Sequence, residues 1–292
     1  MSPSLTVIVP TRSRADFLGP TLASILAAAA EAERARGTRT VVLVVDDASD
    51  DDGATRAVAE RHGVRYHRIE EHDGLRDPGV AIATGVRMVE TSHHMLFGDD
   101  DAMAPSLITS ALAHVDEGAD VVSMSYWWTG PDLVPTREVI LPQASLGDLV
   151  RGHVIVNDGA ITRTELVRDL RWDPTLAKVM LLPHWVQLAL DGRTFATHPV
   201  PTWYYRRHEA NISSTLSDED REVRERLLGE LQAMVVDRLG HLPPGPYHDA
   251  REERIARRAA KDAVKAAAAL APPRREPLTR RVRRRLARAI AP

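Results

Sequence analysis

The sequence predicts an α/β fold with a mostly parallel sheet flanked by helices, followed by a helical C-terminal appendage. Two observations predict it. Short β-branched runs alternate with segments of helical character, and unusual polar residues follow several of these runs at the point where a strand would end. The chain has 292 residues, of which 43% are hydrophobic and 27% charged. This length and composition suit one large globular domain with a helical addition.

The first half of the chain contains a regular succession of strands and helices. Runs rich in Val, Ile and Leu predict strands at 5–9, 41–45, 64–69, 94–97 and 120–127. Segments of helical character lie between and after them, at 16–34, 53–62, 80–91 and 107–115. Gly37 is the expected stop of the first helix.

The second half is less regular, above all between residues 131 and 182. Beyond it we expect a short helix at 185–190, strand-like pieces at 195–205, and helices at 217–239 and 250–270. Proline-rich breaks at 243–246 and 272–273 separate the last elements. The chain is therefore expected to divide into a domain at 1–215, with halves at 1–115 and 116–215, and a helical basic extension at 216–292.

The sequence lacks the features of several classes of protein. The chain has no cysteine, so disulfides and thiolate chemistry are excluded. It has no GxGxxG after the first strand and no GxxxxGK[ST], which argues against a dinucleotide-binding dehydrogenase and a P-loop NTPase. Neither a signal peptide nor a membrane-spanning helix is expected. We therefore expect a cytoplasmic protein.

The polar residues at the strand ends are expected to meet at one edge of the sheet, because ligands of such sheets bind beyond the carboxyl ends of the strands. The first, second and fourth strands end at Pro10-Thr11-Arg12, Asp46-Asp47 and Asp99-Asp100-Asp101. Three adjacent carboxylates repel one another and raise each other's pKa. Such a cluster suits Mg²⁺ or Mn²⁺ together with substrate phosphates. The alternative is a solvated acidic turn that caps the helix beginning near Pro105.

Three stretches resemble, in order, the donor half of family 2 glycosyltransferases with the GT-A fold. They are VIVPTRSRADFLGPTLASIL, VVLVVDDASDDDGATR and HMLFGDDDAMAP. The resemblance covers roughly residues 4–115 and continues less tightly to about residue 215. It implies a GT-A (Rossmann-like) fold with a donor half at 1–115 and an acceptor half at 116–215. It also implies transfer of a sugar from a UDP-, dTDP- or GDP-linked donor to a hydroxyl acceptor, with inversion as the expected outcome.

The resemblance also implies which residues bind the donor. These are Pro10, Thr11, Arg12, Asp47, Arg76 and Asp99. Asp47 matches the acid that accepts a hydrogen bond from the base, which suits the N–H groups of uracil, thymine or guanine. The alternative role for Asp47 is the N-cap of the following helix.

A divalent cation, Mn²⁺ or Mg²⁺, is implied at Asp100, Asp101 and His208. Gly98 stands where many family members have the first acid of the metal motif. His208 matches a histidine that some GT-A enzymes bring back to the metal, and imidazole is a tolerable ligand for Mn²⁺. The alternative is an ordinary loop histidine. Arg206 and Arg207 are candidates for contacting the leaving diphosphate.

An inverting reaction needs a base that takes the proton of the acceptor hydroxyl. His184 stands where relatives carry an aspartate, and histidine is a competent base near neutral pH. Asp158 is the other candidate, and a retaining reaction or a packing role for His184 under Trp185 also stays open. A second hypothesis is a degenerate GT-A module that binds a nucleotide sugar or glycan without turnover. A nucleotidyltransferase ranks last, because PTRSR lacks the glycines of that class.

The C-terminal end is strongly basic. From Ile255 onward the chain contains twelve Lys and Arg residues but only two Asp or Glu residues. This part therefore has a net charge of +10, and the rest of the chain has a net charge of −13. Residues 280–290 place apolar side chains at helical spacing among arginines, as in segments that lie on anionic membranes. The alternatives are docking on the acidic body or on a second subunit of a homodimer, or a disordered end. Nucleic acid is not expected, since no aromatic residue is interleaved.

The acceptor cannot be identified from the sequence. A glycan, a lipid-linked acceptor and a small molecule all remain open. Aromatic residues cluster at 126–128 and 203–205, where they either stack on sugar rings or pack in the core.

Overall fold

The computed structural model describes residues 4–71, 78–153, 156–157, 159–168, 173, 176, 180–209, 211 and 217–270, with side chains as far as residue 262. Its strands are β1 (Leu5–Thr11), β2 (Thr40–Asp47), β3 (Arg65–Ile69), β4 (His93–Leu96), β5 (Ala102–Met103), β6 (Val121–Thr129), β7 (Pro135–Val139), β8 (Ile161–Arg163) and β9 (Phe195–Arg206). Its helices are α1 (Ala15–Arg36), α2 (Ala54–Arg61), α3 (Gly79–Arg87), α4 (Leu107–Asp116), α5 (Leu146–Leu149), α6 (Leu182–Leu190), α7 (Asp218–Leu239) and α8 (Pro246–Leu270). A 3-10 turn spans Thr164–Leu166.

The predicted alternation of strands and helices in the first half is confirmed, with boundaries that shift by a few residues. Helix α1 ends as expected at Gly37, whose φ of 65° is the left-handed conformation that glycine adopts without strain. The short elements β5, β7, β8 and α5 were not predicted. Helix α6 begins at Leu182 instead of residue 185, because Pro183 fits the first turn, where its missing N–H costs no hydrogen bond.

The sheet is parallel in its first half and mixed in its second. Within the described residues the strand order is β3-β2-β1-β4-β8-β6-β9-β5, with β7 paired to β6. Strands β1 to β4 pair in parallel. Strand β8 is antiparallel to both of its neighbours, whereas β6 and β9 are parallel. The predicted α/β fold is thus confirmed, and its parallel character lies in the half that contains the three motifs.

Both faces of the sheet are covered, which explains the uninterrupted apolar runs in β1 and β2. Val7 and Val9 of β1 belong to the core on the side of α1 and α4. Ile8, between them, points to the other face and packs in a second core with Ile82 of α3. Helix α3 approaches β1 so closely that a Cβ at Gly85 would collide with the Ile8 side chain.

Two compact units divide the chain, Met1–His248 and Asp249–Pro292. Helix α7 belongs to the first unit and begins with a capping box between Ser217 and Asp220. Its residues Leu227, Leu231 and Val235, spaced four apart, are buried in the second core. The first unit therefore extends beyond residue 215, where the sequence suggested that the extension begins. The arginine-rich segment 280–290 lies outside the described residues.

Across the part of the chain that the structure covers, no helix has both the length and the apolar character that a membrane span requires.

Candidate active site

The loops that follow β1 and β2 are joined to each other. Ser13, in the loop between β1 and α1, has a φ of 49°, which is uncommon for a residue other than glycine. Its N–H donates a 2.7 Å hydrogen bond to Ser49 Oγ, and its own Oγ accepts one of 3.0 Å from the N–H of Asp50. The loops after β1 and β2 therefore lie at the same edge of the sheet, as predicted. At this edge Pro10 is half-buried and Arg12 is exposed.

The acidic loop after β4 is buried. Asp99, Asp100 and Asp101 are 4%, 8% and 2% exposed. The buried Thr21 hydroxyl of α1 lies 2.9 Å from the carbonyl oxygen of Asp99 and 2.7 Å from that of Asp101. Helix α1 thus holds the backbone of the loop in place. A solvated acidic turn, the alternative that the sequence left open, is excluded by this burial.

Arg14 supplies positive charge to the acidic loop. Its Nη1 lies 2.9 Å from Asp99 Oδ1, and its Nη2 lies 2.6 Å from Asp100 Oδ2. Burial by itself would lower the pKa of Arg14, but the charges of Asp99 and Asp100 raise it, so the guanidinium stays ionised. One guanidinium therefore bridges two neighbouring carboxylates and offsets their mutual repulsion.

Asp99 is held from two sides. The Thr11 hydroxyl, at the end of β1, donates a 2.7 Å hydrogen bond to Asp99 Oδ2, while Arg14 contacts the other oxygen. Burial raises the pKa of Asp99 to about 6, against the opposing effect of Arg14. Thr11 and Asp99, both predicted to bind the donor, are in direct contact.

Asp101 braces the acidic loop against β9. Its Oδ2 accepts a 2.8 Å hydrogen bond from the indole N–H of Trp203, and its Oδ1 accepts one of 2.8 Å from the backbone N–H of Arg206. Burial, followed by the charge of Asp100, raises the pKa of Asp101. A metal-binding role for Asp101 stays a prediction, and both of its oxygens already accept hydrogen bonds.

His208 is brought to the acidic loop, as the sequence suggested. Its Nε2 lies 2.9 Å from Asp100 Oδ2. The ring stacks on Phe17 of α1, with a centroid distance of 4.8 Å and an interplanar angle of 14°. Asn211 accepts a hydrogen bond from the His208 N–H and donates one of 2.9 Å to the Arg206 carbonyl. The imidazole is thus oriented by its own loop and by α1.

A divalent cation fits two of the predicted ligands. A carboxylate oxygen of Asp100 and an imidazole nitrogen of His208 converge, and this pair suits Mn²⁺, which completes its shell with water and phosphate oxygens. Among the described residues, no group of three or more His, Asp or Glu side chains converges as a metal site. The donor set therefore fits a cation that shares its coordination with a diphosphate. The Arg14 guanidinium lies against both of these ligands, because its Nη2 is 2.6 Å from Asp100 Oδ2 and 3.1 Å from His208 Nε2.

The two acids at the end of β2 have different surroundings. Asp46 accepts hydrogen bonds from the Ser49 N–H at 2.9 Å and from the Tyr66 hydroxyl at 2.5 Å, and it pairs with Arg68 at 3.4 Å. It therefore serves the turn that leads toward α2. Asp47 is buried at the same strand end, where it pairs in register with Ile69 of β3. The N-cap role that competed with base recognition is not taken by Asp47, because the N-cap of α2 is Gly53 and the Thr55 N–H in its first turn donates to Asp51. Base recognition by Asp47 stays a prediction.

The predicted catalytic residues lie in the second half of the chain. His184 is buried in the first turn of α6, within the helix and not before it as expected. Asp158 and Arg76 lie outside the described residues. Asn157, next to Asp158, donates a 2.7 Å hydrogen bond to the Met124 carbonyl and ties this segment to β6.

Sequence reasoning missed Arg14, Phe17, Thr21 and Trp203 as parts of the site. The stretch PTRSR contains two arginines, and only Arg12 was assigned to the donor. Three consecutive acids at a strand end require nearby positive charge, so the second arginine of the same loop was a signal that was available.

Comparisons with known proteins agree with this geometry. The model of glycosyl transferase family 2 matches residues 6–167, more than half of the chain. A search of curated proteins found no match. Among solved structures, S. aureus TarS 1–349 in complex with UDP-GlcNAc is similar, with a TM-score of 0.58 and 21% identity over 78% of this chain and 66% of that one. The chain thus spans slightly less than two thirds of the 1–349 portion of TarS and 39% of the longer TarS chain.

Two synthases are also similar. Mannosyl-3-phosphoglycerate synthase from Rubrobacter xylanophilus has a TM-score of 0.56 and 18% identity, over 83% of this chain and 77% of that one. Glucosyl-3-phosphoglycerate synthase from Mycobacterium tuberculosis, in complex with Mn²⁺, UDP and glucosyl-3-phosphoglycerate, has a TM-score of 0.50 and 14% identity, over 83% and 82%. At these identities the likeness concerns the fold. Because the family model covers more than half of the chain, including all three sequence motifs, the chain belongs to glycosyl transferase family 2.

Proposed function

We propose that the protein is a metal-dependent glycosyltransferase that moves a sugar from a nucleotide-diphosphate donor to a hydroxyl acceptor, with inversion. The observation that carries this proposal is the convergence of Thr11, Arg14, Asp99, Asp100 and His208 at the ends of β1, β4 and β9. This set combines ligands for a cation with a guanidinium suited to phosphate. A nucleotide diphosphate that binds together with a cation requires both.

The donor is expected to bind in the half at 1–115. Its nucleoside would lie against Pro10, Thr11 and Arg12, with Asp47 accepting a hydrogen bond from the base. The complex of TarS with UDP-GlcNAc and that of glucosyl-3-phosphoglycerate synthase with UDP and Mn²⁺ support a uridine diphosphate donor. Asp99, which is buried beside Thr11, is proposed to accept a hydrogen bond from a ribose hydroxyl, and Arg76 is proposed as a further donor contact.

Asp100 and His208 would hold the cation, for which Mn²⁺ is the first choice and Mg²⁺ the second. Asp101 would contribute to the cation site beside Asp100, while its carboxylate keeps its hydrogen bonds to β9. Once bound, the cation stabilises the negative charge that develops on the departing diphosphate. Stacking on Phe17 keeps the His208 ring in the orientation that faces Asp100.

Proton removal is assigned to His184, with Asp158 as the second candidate. An inverting transfer places the base on the acceptor side of the sugar, where it takes the proton of the attacking hydroxyl. Both residues come from the half at 116–215, whereas the cation ligand Asp100 comes from the half at 1–115. This division matches the proposal that each substrate is held mainly by one half.

The acceptor is proposed to lie against the face of β6, β7 and β9 that carries Trp128. The guanidinium groups of Arg137 and Arg207 lie 4.7 and 4.5 Å from the centre of its ring. The neighbouring Arg206 donates a 2.6 Å hydrogen bond to the Asp100 carbonyl, so the end of β9 lies close to the acidic loop. Two exposed arginines favour a glycan, lipid-linked or small-molecule acceptor that carries negative charge.

The decisive experiment is a donor screen. The full-length chain would be incubated with UDP-, dTDP- and GDP-sugars, Mn²⁺ and phosphorylated or unphosphorylated acceptors, with EDTA as the control. We expect release of the nucleoside diphosphate that EDTA abolishes, and NMR of the product should show an inverted anomer. Tight binding of a nucleotide with no turnover for any acceptor would instead favour a non-catalytic module.

The basic tail is proposed to rest on the inner face of a membrane, where anionic lipids attract arginine. Co-sedimentation with anionic vesicles, at low and physiological salt, would compare the full chain with one that lacks residues 272–292. Loss of binding on truncation supports the proposal. Equal pelleting of both chains would rule out this role for the tail and leave docking on the acidic body, docking on a second subunit, or a disordered end.

A further inference from the structure

We propose that Arg14 is a tethered cation that competes with the divalent metal for the acidic loop and moves to the donor diphosphate when the metal enters. In this role it is a positioning residue that links metal binding to donor binding. The inference rests on the proposed function, since it concerns the same cation and the same diphosphate.

The competition follows from the contacts of one guanidinium. Arg14 Nη2 lies 2.6 Å from Asp100 Oδ2 and 3.1 Å from His208 Nε2, and these are the two atoms proposed to hold the cation. Mn²⁺ binds such ligands at little more than 2 Å. The nitrogen and the metal therefore claim the same space, and their like charges repel strongly at this separation.

Three other carboxylate oxygens of the acidic loop have partners that would stay in place. Asp99 Oδ2 accepts the Thr11 hydroxyl. The two oxygens of Asp101 accept N–H groups from Trp203 and Arg206. Withdrawal of Arg14 would thus leave the loop braced by neutral donors and would release Asp99 Oδ1 together with Asp100 Oδ2, the oxygen proposed to bind the metal.

Arg14 is also the more accessible partner in its two ion pairs. Its side chain is 22% exposed, against 6% for Asp99 and 12% for Asp100. The carboxylates are therefore the more buried partners, and the guanidinium is the one nearer to solvent. A short outward movement would keep the Arg14 side chain near Phe17, whose ring centre is 5.1 Å from its Cζ.

The second arginine near this ring is held differently. Arg206 Nε donates to the Asp100 carbonyl at 2.6 Å, and its Nη1 donates to the Pro131 carbonyl at 2.8 Å. These backbone contacts fix Arg206, whereas both ion pairs of Arg14 are made with the carboxylates themselves. Arg14 is therefore the arginine whose position depends on the charge of the site.

The physical consequence is coupling between two ligands. Without nucleotide, a metal must displace Arg14 and binds weakly. With a diphosphate present, the released guanidinium gains a bidentate phosphate contact, so each ligand strengthens the binding of the other.

The test is the Mn²⁺ affinity of the full-length chain, measured from the electron paramagnetic resonance of free Mn²⁺ with and without UDP. The variants are Arg14→Gln, Arg14→Lys and, as a control with the same change of charge, Arg56→Gln. Arg56 is exposed on α2 and pairs with Glu60. Without UDP, we expect Arg14→Gln to bind Mn²⁺ about 10- to 100-fold more tightly, because a cation a few ångströms away has been removed.

Arg14→Lys should show a smaller gain, because a charge remains without the forked geometry, and Arg56→Gln should match the wild type. UDP should enhance Mn²⁺ binding less in Arg14→Gln than in the wild type. Because loss of the guanidinium leaves buried carboxylates unpaired, the stability of each variant would be followed by thermal unfolding. If Arg14→Gln does not fold, Arg14→Lys carries the test.

Unchanged or weaker Mn²⁺ binding by the folded Arg14 variants, with normal Mn²⁺ binding in the presence of UDP, would overturn this inference alone. Failure of every chain to bind Mn²⁺ with UDP present would overturn the metal dependence of the proposed function as well.

Discussion

The indole N–H of Trp203 donates a 2.8 Å hydrogen bond to Asp101 Oδ2, across 102 positions of the chain. This bond fastens β9 to the loop that follows β4. Asp101 is almost completely buried, so its carboxylate depends on such donors for the interactions that water would otherwise supply. The stability of the second half and the shape of the acidic site are therefore linked at this contact.

Trp203→Phe is expected to lower the free energy of unfolding by about 1–3 kcal/mol, since it leaves a buried acceptor with one donor fewer. Urea unfolding of Trp203→Phe, Asp101→Asn and the double variant would measure the coupling between the two side chains. A coupling energy near zero would show that the hydrogen bond contributes nothing.

Asp100→Asn is expected to reduce transfer by at least about 100-fold, because it removes the charge from one of two proposed cation ligands. Asp100 is buried, so asparagine, which keeps the size of the side chain, is preferable to alanine. Turnover and Mn²⁺ affinity would be measured beside Asp116→Asn, whose carboxylate pairs with Arg36 on the surface. Activity that survives both EDTA and Asp100→Asn would rule out the metal.

Asp47→Asn should weaken UDP binding by about 1.5–3 kcal/mol, the size of one charge-assisted hydrogen bond. The dissociation constant measured by calorimetry should rise about 10- to 150-fold. Asp50→Asn, an exposed acid of the same loop, should leave it unchanged. Undiminished affinity of the Asp47 variant would return this residue to a structural role at the end of β2.

His184→Gln should lower kcat by about 10²–10⁴-fold with little change in UDP affinity, if His184 takes the proton of the acceptor. Asp158→Asn is the matched variant for the second candidate. A near-normal kcat for His184→Gln, together with a large loss for Asp158→Asn, would reassign the base. Retention of the anomer in the product would contradict the inverting mechanism for both.

Protonation of His94 should reduce the stability of the fold as the pH falls from about 6.5 to about 4. Burial lowers the pKa of His94 to about 4, below the value of about 6.5 in the unfolded chain. At this site the native state binds fewer protons in this window, so the contribution of His94 is present above the unfolded pKa and lost on acidification, by about 3 kcal/mol. Burial also lowers the pKa of the adjacent His93, which acts in the same direction. Burial raises the pKa of Asp99 to about 6 and also raises that of Asp101, and these two acids act in the opposite direction.

Urea unfolding between pH 7 and pH 4 would test this expectation. His94→Leu should lose less stability than the wild type between pH 7 and pH 4, while His241→Gln, at an exposed histidine, should behave as the wild type does. The same slope in His94→Leu and in the wild type would assign the acid sensitivity to other groups.

The sequence by itself determined the architecture of the donor half. Uninterrupted Val, Ile and Leu runs specify strands buried on both faces, and helices between them specify parallel pairing. Gly37 marks the end of α1 through its own conformational freedom. Since parallel strands end at one edge, the position of the acids after β2 and β4 followed without any tertiary information.

Only the tertiary structure decided which of these neighbouring side chains does what. Asp100 and Asp101 are adjacent and chemically identical, yet Asp101 turns toward donors on β9 while Asp100 turns toward Arg14 and His208. Likewise Arg14, and not Arg12, meets the acids, because the turn at Ser13 directs it inward. Short strands such as β5 and β8 form through partners far along the chain. Local sequence specifies backbone periodicity, whereas the orientation of each polar side chain depends on partners about a hundred residues away.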